Sequence, residues 1–285
     1  MPSHTSSRLF LVTAGIFWSI SGVILKNLPD VHWLVIAGMR SLFAAIVFLP
    51  GLRQPRLPLA KLLAAILFFA IIVAALMGAM QLGTAAQGIW LHFTAPALVA
   101  LWVWLVQRQR LRPTEMLAAL LTLLAVVLIA GAGGGPAQRA SLLLGLISGF
   151  AFAAFLLLLK SFGPVPAASV HLWVNLGAAL LLLPLAFAFR VPFPTAPRDL
   201  ALLAAMGMGQ LGLGYYFFMA GISGATAVEA SLIVLLEPIL NPIWVYLLVG
   251  ELPSPRVITG CALIAFGLLA FALTPGRREP PIPDG

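Results

Sequence analysis

Two charged side chains lie deep inside long apolar segments of this sequence. Arg40 stands about ten residues from either end of its segment, and Glu237 lies equally deep in a later one. A charge at the centre of a bilayer is costly unless it has a partner or faces water. Each residue is therefore a candidate for binding a solute or a coupling ion in a central aqueous cavity. The alternative is that they hold helices together through hydrogen bonds or a structural ion pair.

The segment that contains Glu237 has the composition of an interrupted helix. Glu237 is followed by Pro238, Asn241 and Pro242. Each proline removes a backbone donor and pushes away the carbonyl four residues before it. Glu237 and Asn241 are four residues apart, so they share one helix face and present a carboxylate and an amide together. Pro96 occupies the matching position in the first half of the chain, and we predict helix breaks at Pro96, Pro238 and Pro242.

Two more residues are candidates for the same site. His92 stands one turn before Pro96 and is either a proton relay or a hydrogen-bonded packing residue. Trp18 lies near the middle of the first apolar segment, too deep for an interfacial anchor. It is a candidate wall for an apolar or zwitterionic solute, with core packing as the alternative. The predicted substrate-binding residues are Trp18, Arg40, His92, Glu237 and Asn241.

The sequence contains partial matches to catalytic and phosphate-binding motifs, but each match lacks a residue that the motif requires. The stretch 221–224 matches the Gly-x-Ser-Gly of intramembrane serine proteases, but no histidine follows residue 171. The glycine-rich stretch 131–136 lacks the Lys and Ser/Thr of a phosphate loop. Cys261 is the single cysteine, so an intrachain disulfide is excluded. We expect no catalytic residue, no metal and no cofactor, and transport that runs on a gradient.

The amino-acid composition predicts that lipid rather than water surrounds most of this chain. Of the 285 residues, 62% are hydrophobic and only 8% are charged. A soluble domain needs about a quarter of its residues charged. The net charge of +8 comes from short basic clusters between apolar runs rather than from one face, so nucleic acid is not an expected partner.

Ten segments are long and apolar enough to cross a bilayer, since a span needs about 20 apolar residues. We therefore expect an all-α polytopic membrane protein with ten transmembrane helices. The tail 276–285 contains three prolines and is predicted to be disordered. The predicted spans are 9–26, 31–50, 60–79, 83–106, 113–131, 141–161, 168–189, 199–220, 226–249 and 256–274.

The distribution of Lys and Arg predicts the orientation. With the N-terminus in the cytoplasm, ten basic residues in loops or near span ends lie on the cytoplasmic side and five lie on the other side, while Arg40 lies within a span. This bias predicts a multi-pass protein of the bacterial inner membrane with both termini cytoplasmic.

The chain contains the same membrane unit twice. A shift of 142 positions places Pro96 on Pro238, Trp102 on Trp244 and Pro113 on Pro255. Five spans in each copy mean that the second copy enters the membrane in the opposite sense, and inverted repeats of this kind are typical of transporters. We predict one unit at 1–137 and a second at 138–275.

The stretch 227–251, followed by Gly260 and Gly267, resembles the EamA-type permeases of the drug/metabolite transporter superfamily. Arg40 after an apolar run also resembles the family pattern. In the first copy Gln107-Arg108 replaces the Gly-Glu expected at the end of the fourth span. The resemblance covers nearly the whole chain and implies a secondary carrier. Members commonly export amino acids or related metabolites, with the site between the halves.

Other functions remain open at this stage. A passive facilitator would share the composition and the repeats. A multidrug carrier for cationic compounds is a second alternative, although the related four-span multidrug proteins use a Glu in their first span. The corresponding spans here, 9–26 and 141–161, contain none. Glu237 is a candidate for proton coupling, and the sequence does not specify the oligomeric state.

Overall fold

The computed structural model describes residues 4–53, 58–108, 110–131, 135–162, 167–222 and 235–273. Within these ranges the chain forms ten helical spans and no β-strand, and a 3₁₀ turn (Leu49–Arg53) follows the second span. The predicted disordered tail lies outside the described residues. The spans are α1 (His4–Ser19 and Ser21–Lys26), α2 (Trp33–Val47), α3 (Leu59–Leu82), α4 (Ala85–His92 and Ala95–Leu105), α5 (Pro113–Ala130), α6 (Pro136–Lys160), α7 (Ala167–Ala188), α8 (Pro197–Ala204, the π-helical Ala205–Leu213 and Gly214–Ile222), α9 (Leu236–Val249) and α10 (Pro255–Ala272).

The described helices have the length and composition of membrane spans. Seven of them have at least 18 residues and are apolar enough to cross a bilayer, namely α1, α3, α5, α6, α7, α8 and α10. The helices α2 and α9 are shorter apolar helices, and α4 is divided into two pieces. The predicted all-α polytopic fold with ten transmembrane helices is confirmed.

The last helix of each copy shows the repeat most clearly. Helices α5 and α10 both have 18 residues, and both begin with proline at the first helical position, where its fixed φ suits a helix start. They are separated by the predicted 142 positions at both ends. The residues before them also correspond, because Arg108 (φ 56°) and Gly250 (φ 80°) are both left-handed. This pairing corrects the predicted alignment by one residue, so that Gly250-Glu251 corresponds to Arg108-Gln109.

Helix packing follows the same symmetry. The contacts of α3 with α6 and α7 are matched by contacts of α8 with α1 and α2, and those of α4 with α6 by those of α9 with α1. Two further contacts, α2 with α7 and α5 with α10, join helices that correspond to each other. The fold therefore consists of two five-helix repeats related by a pseudo-two-fold axis. With an odd number of spans in each, the repeats are inverted.

Helices α1 and α9 meet along a polar seam between the repeats. Ser19 accepts a hydrogen bond from the Trp244 indole (3.1 Å), and Ser21 accepts one from the Asn241 amide (2.8 Å). Ser19 also donates to the carbonyl of Ile16 (2.8 Å). These bonds lie at the junction of the two pieces of α1.

Gly22 is the closest point of this seam. A Cβ added there would lie 2.4 Å from Asn241 Oδ1 and 2.7 Å from Val245 Cγ2. We expect Gly22→Ala to destabilise the protein by about 1–3 kcal/mol, because two helices would have to separate. The measurement is the thermal unfolding midpoint of the purified protein in detergent.

Gly209 provides the matched control for this prediction. A Cβ at Gly209 has nothing within 4 Å, so Gly209→Ala should leave the midpoint unchanged or raise it slightly. Equal midpoints for the two variants would contradict the close approach at Gly22.

Candidate functional site

Arg40 is buried at the middle of α2 without a carboxylate beside it. The residue is only 5% exposed. Its Nη1 lies 3.6 Å from Met77 Sδ of α3, and its Nε is buried without a hydrogen-bond partner. Among the described side chains, no carboxylate oxygen lies within 4.0 Å of the guanidinium. The positive charge of Arg40 is therefore not neutralised by direct contact within this part of the chain.

Glu237 lies in the first turn of α9, on the other repeat, and it is half-buried. It is nevertheless within electrostatic range of Arg40. The two predicted charges are thus brought to one region across the interface between the repeats. They interact through space without forming a direct ion pair.

Tyr215 of α8 connects these charges to a row of aromatic rings. It lies within electrostatic range of both Arg40 and Glu237. Its ring centroid is 5.0 Å from that of Trp18 in an edge-to-face arrangement and 4.0 Å from that of His171. His171 in turn stacks on Phe48 at 5.2 Å. Trp18, predicted as a cavity wall, therefore belongs to an aromatic row contributed by α1, α8, α7 and the end of α2.

His92 lies at the end of the first piece of α4, within electrostatic range of Arg40. It is buried, and its ring stacks on Phe152 with centroids 4.5 Å apart. Its Nδ1 lies 2.9 Å from Ser148 Oγ, and Ser148 donates to the carbonyl of Ile72 at 3.2 Å. Since a hydroxyl has one proton to donate, Nδ1–H of His92 donates to Ser148.

Asn241 lies one turn after Glu237 on the same face of α9, and its side chain bonds to the other repeat. It is fully buried, and its amide donates to Ser21 in the seam between α1 and α9. Its Oδ1 has no hydrogen-bond partner and faces Gly22. The face of α9 predicted to carry both residues therefore presents a half-buried carboxylate, Glu237, and a buried amide, Asn241. The amide serves as an interhelical hydrogen-bond donor.

The three prolines predicted to break helices differ in their surroundings. Helix α4 is interrupted at Phe93 and Thr94, and Pro96 occupies the second position of the piece that follows. Pro238 lies in the first turn of α9, and the residues before 235 lie outside the described part of the chain. Helix α9 runs without interruption through Pro242, so the structure differs from the predicted break there. Pro242 frees only the Pro238 carbonyl, and the bonds on either side maintain the helix.

Sequence reasoning missed the importance of Met77, Tyr215 and His171. Met77 and His171 were visible as landmarks of the repeat, since Met77 matches Met219 and His171 matches His32. Their contacts depend on tertiary packing, because α3 brings Met77 to Arg40 and α7 brings His171 to Tyr215. Within the described ranges, no three His, Cys, Asp or Glu residues are grouped so as to hold a metal ion.

An inverted five-helix repeat with buried charges between its halves defines a membrane transporter. The family model of the EamA-like transporter family matches residues 5–131 and again 139–273. The chain belongs to this family, which is part of the drug/metabolite transporter superfamily. It is a multi-pass integral membrane protein.

Two curated proteins and a solved structure are also similar to this chain. The chain is 26% identical over 188 residues to the uncharacterized transporter YwfM of Bacillus subtilis, an alignment that covers 65% of this chain and 64% of that protein. It is 32% identical over 193 residues to the uncharacterized protein PA1977 of Pseudomonas aeruginosa, covering 67% and 66% respectively. A protein crystal structure with 22% identity superposes with a TM-score of 0.68 over 97% of this chain and 100% of that chain, which supports the fold.

Proposed function

We propose that the protein is a secondary active transporter that exports amino acids or related small metabolites by alternating access. The observation that carries this proposal is the pair Arg40 and Glu237. The pair lies across the repeat interface, in electrostatic range but without a direct ion pair.

A separated pair of opposite charges suits a zwitterion. The Arg40 guanidinium has an unpartnered buried Nε and provides planar donors that match a carboxylate. The Glu237 carboxylate attracts an ammonium group. A solute that carries both charges would satisfy the two residues at once, whereas an anion or a cation alone would satisfy only one of them.

The aromatic row of Trp18, Tyr215 and His171 lies beside these charges and gives the remainder of the solute an apolar surface. His92 lies within electrostatic range of Arg40 and is held by its bond to Ser148. Pro96, at the break in α4, allows that helix to bend next to the site.

We further propose the location of the protein, its orientation in the membrane and the bounds of its two repeats. We place the protein in the bacterial inner membrane with both termini in the cytoplasm, in line with the ratio of basic residues on the two sides. The repeat units are 1–137 and 138–275. Glu237 is the candidate proton carrier, since it is half-buried and lies at the repeat interface.

The test is a panel of radiolabelled solutes in proteoliposomes, with and without a pH gradient. The panel contains zwitterionic amino acids, a decarboxylated amine, a carboxylate without the amine and a cationic drug-like compound. We expect flux of zwitterions that saturates and is stimulated by the same solute on the trans side.

Two results would contradict this function. Flux that rises linearly with concentration and shows no counterflow would identify a passive facilitator. Selective transport of the cationic compound would identify a multidrug carrier. Protein-free liposomes provide the control for leakage.

A further inference from the structure

One end of the helix bundle is held together by a single carboxylate from the second repeat. Glu251 follows α9, and its Oε2 lies 2.5 Å from the Lys26 ammonium at the end of α1. Its Oε1 accepts a hydrogen bond from the Ala85 amide at the start of α4 (2.7 Å). Lys26 also donates to the carbonyl of Gly83, between α3 and α4 (2.8 Å). We call Lys26, Gly83, Ala85 and Glu251 the clasp.

The clasp is a partly buried ion pair with additional hydrogen bonds to the backbone. The side chains of Lys26 and Glu251 are only 17% and 19% exposed, so water screens the pair weakly. Glu251 Oε1 and the Lys26 ammonium each have an additional backbone partner, Ala85 N–H and the Gly83 carbonyl, so the ion pair is held by charge-assisted hydrogen bonds. Gly250 turns the chain in a left-handed conformation (φ 80°) and so directs Glu251 back toward α1 and α4.

The clasp joins the two repeats at the end of the seam between α1 and α9. The seam bonds Ser19 to Trp244 and Ser21 to Asn241, and the clasp follows one to two turns later. A solute leaving the repeat interface toward this end has to separate α9 from α1 and α4. That separation breaks both bonds of Glu251, to Lys26 and to the Ala85 amide.

The positions that correspond to Lys26 and Glu251 in the other repeat are occupied by a different pair of residue types. Lys160 ends α6 as Lys26 ends α1, and the correspondence of Arg108 with Gly250 places Gln109 opposite Glu251. Gln109 and the Lys160 side chain lie outside the described part of the structure. Their residue types nevertheless give their charges, since glutamine is neutral and lysine is positive. Because Gln109 is a neutral amide, Lys160 and Gln109 cannot form an ion pair equivalent to that of Lys26 and Glu251.

We propose that Lys26 and Glu251 form the outer gate of the transporter and that this ion pair between the repeats stabilises the outward-closed state. Both act as positioning residues, since they hold helices and do not touch the solute. The proposal rests on the alternating-access function above. With both termini in the cytoplasm, the clasp faces the outside of the cell.

The test measures access to the seam without any solute. Cys261 is replaced by alanine, and Val245, buried in the seam against Gly22, is replaced by cysteine as the reporter. Sealed right-side-out and inverted membrane vesicles are treated with a membrane-impermeant maleimide. We expect Lys26→Met and Glu251→Gln each to speed labelling about tenfold in right-side-out vesicles, the factor expected for losing a charged hydrogen bond.

Two further variants separate a gate from a general loss of structure. The double variant Lys26→Met/Glu251→Gln should label no faster than either single variant, because both remove the same interaction. Lys26→Arg keeps the cation and should label at the parental rate. Arg139→Gln is the control for an outer-face cation, since Arg139 is exposed near the start of α6.

The proposal is overturned if both single variants label at the parental rate, or if the double variant labels at the product of the two increases. Faster labelling in inverted vesicles would overturn the outer position. If Glu251→Gln is not recovered folded, Lys26→Met and Lys26→Arg decide the question. Since the assay contains no solute, altered labelling without any flux would contradict the proposed function alone, and flux with unaltered labelling would contradict the gate alone.

Discussion

Replacing Arg40 with methionine should raise the solute concentration for half-maximal flux by roughly a hundredfold, which corresponds to about 2.8 kcal/mol. Methionine fills a similar volume but leaves the solute carboxylate without its partner in a buried site. Arg40→Lys keeps the charge and loses the planar fork, so we expect a smaller increase of about tenfold. The measurement is the concentration dependence of initial flux in proteoliposomes that contain equal amounts of folded protein.

The competing interpretation is that Arg40 only holds α2 and α3 together through Met77. In that case the yield of monodisperse protein would fall and the recovered fraction would transport with unchanged apparent affinity. Arg139→Met provides the matched control, because Arg139 is an exposed arginine near the start of α6. It should alter neither yield nor affinity.

Replacing Glu237 with glutamine should abolish accumulation driven by a pH gradient while leaving solute exchange within about threefold of the parent. Glutamine has nearly the same shape but cannot gain or lose a proton, so it removes coupling and keeps most of the polar surface. Driven uptake and counterflow are measured on the same proteoliposome preparation.

Glu237→Gln with unchanged driven uptake would refute the role of Glu237 in proton coupling. Loss of exchange together with driven uptake would show that the solute ammonium needs the charge of Glu237, which the glutamine amide oxygen does not replace. Asp199→Asn is the control, since Asp199 is a carboxylate in the first turn of α8 and lies at the membrane surface. It should leave both activities intact.

Much of the fold follows from the sequence because lipid imposes a simple rule. A helix that crosses hydrocarbon satisfies its own backbone bonds, so apolar length and the Pro, Gly and charged breaks between segments determine the spans. The prediction for 113–131 matches α5 closely, and the prediction for 256–274 matches α10. The proline that begins each of these helices fixes the boundary from local chemistry alone.

The interruption of α1 at Ile20 could not be predicted in this way. No proline or charge lies near it, and the serines on either side bond to Trp244 and Asn241 more than two hundred residues away.

The candidate site likewise depends on contacts between residues that are distant in the sequence. The four-residue spacing placed Glu237 and Asn241 on one face, but the partners that separate them in role come from α1. Arg40 and Glu237 were found as costly single charges, whereas the row of Trp18, Tyr215 and His171 depends on how α1, α8 and α7 pack.

The contacts between corresponding helices locate the pivot of the motion that transport requires. If the two repeats exchange their conformations during the cycle, the contact of α3 with α6 takes the geometry now held by α8 and α1. The contacts of α2 with α7 and of α5 with α10 are mapped onto themselves by the same exchange. They need not change between the two access states. In such an exchange the contact between α5 and α10 would stay constant. The contacts that change would be those between helices that do not correspond to each other in the two repeats.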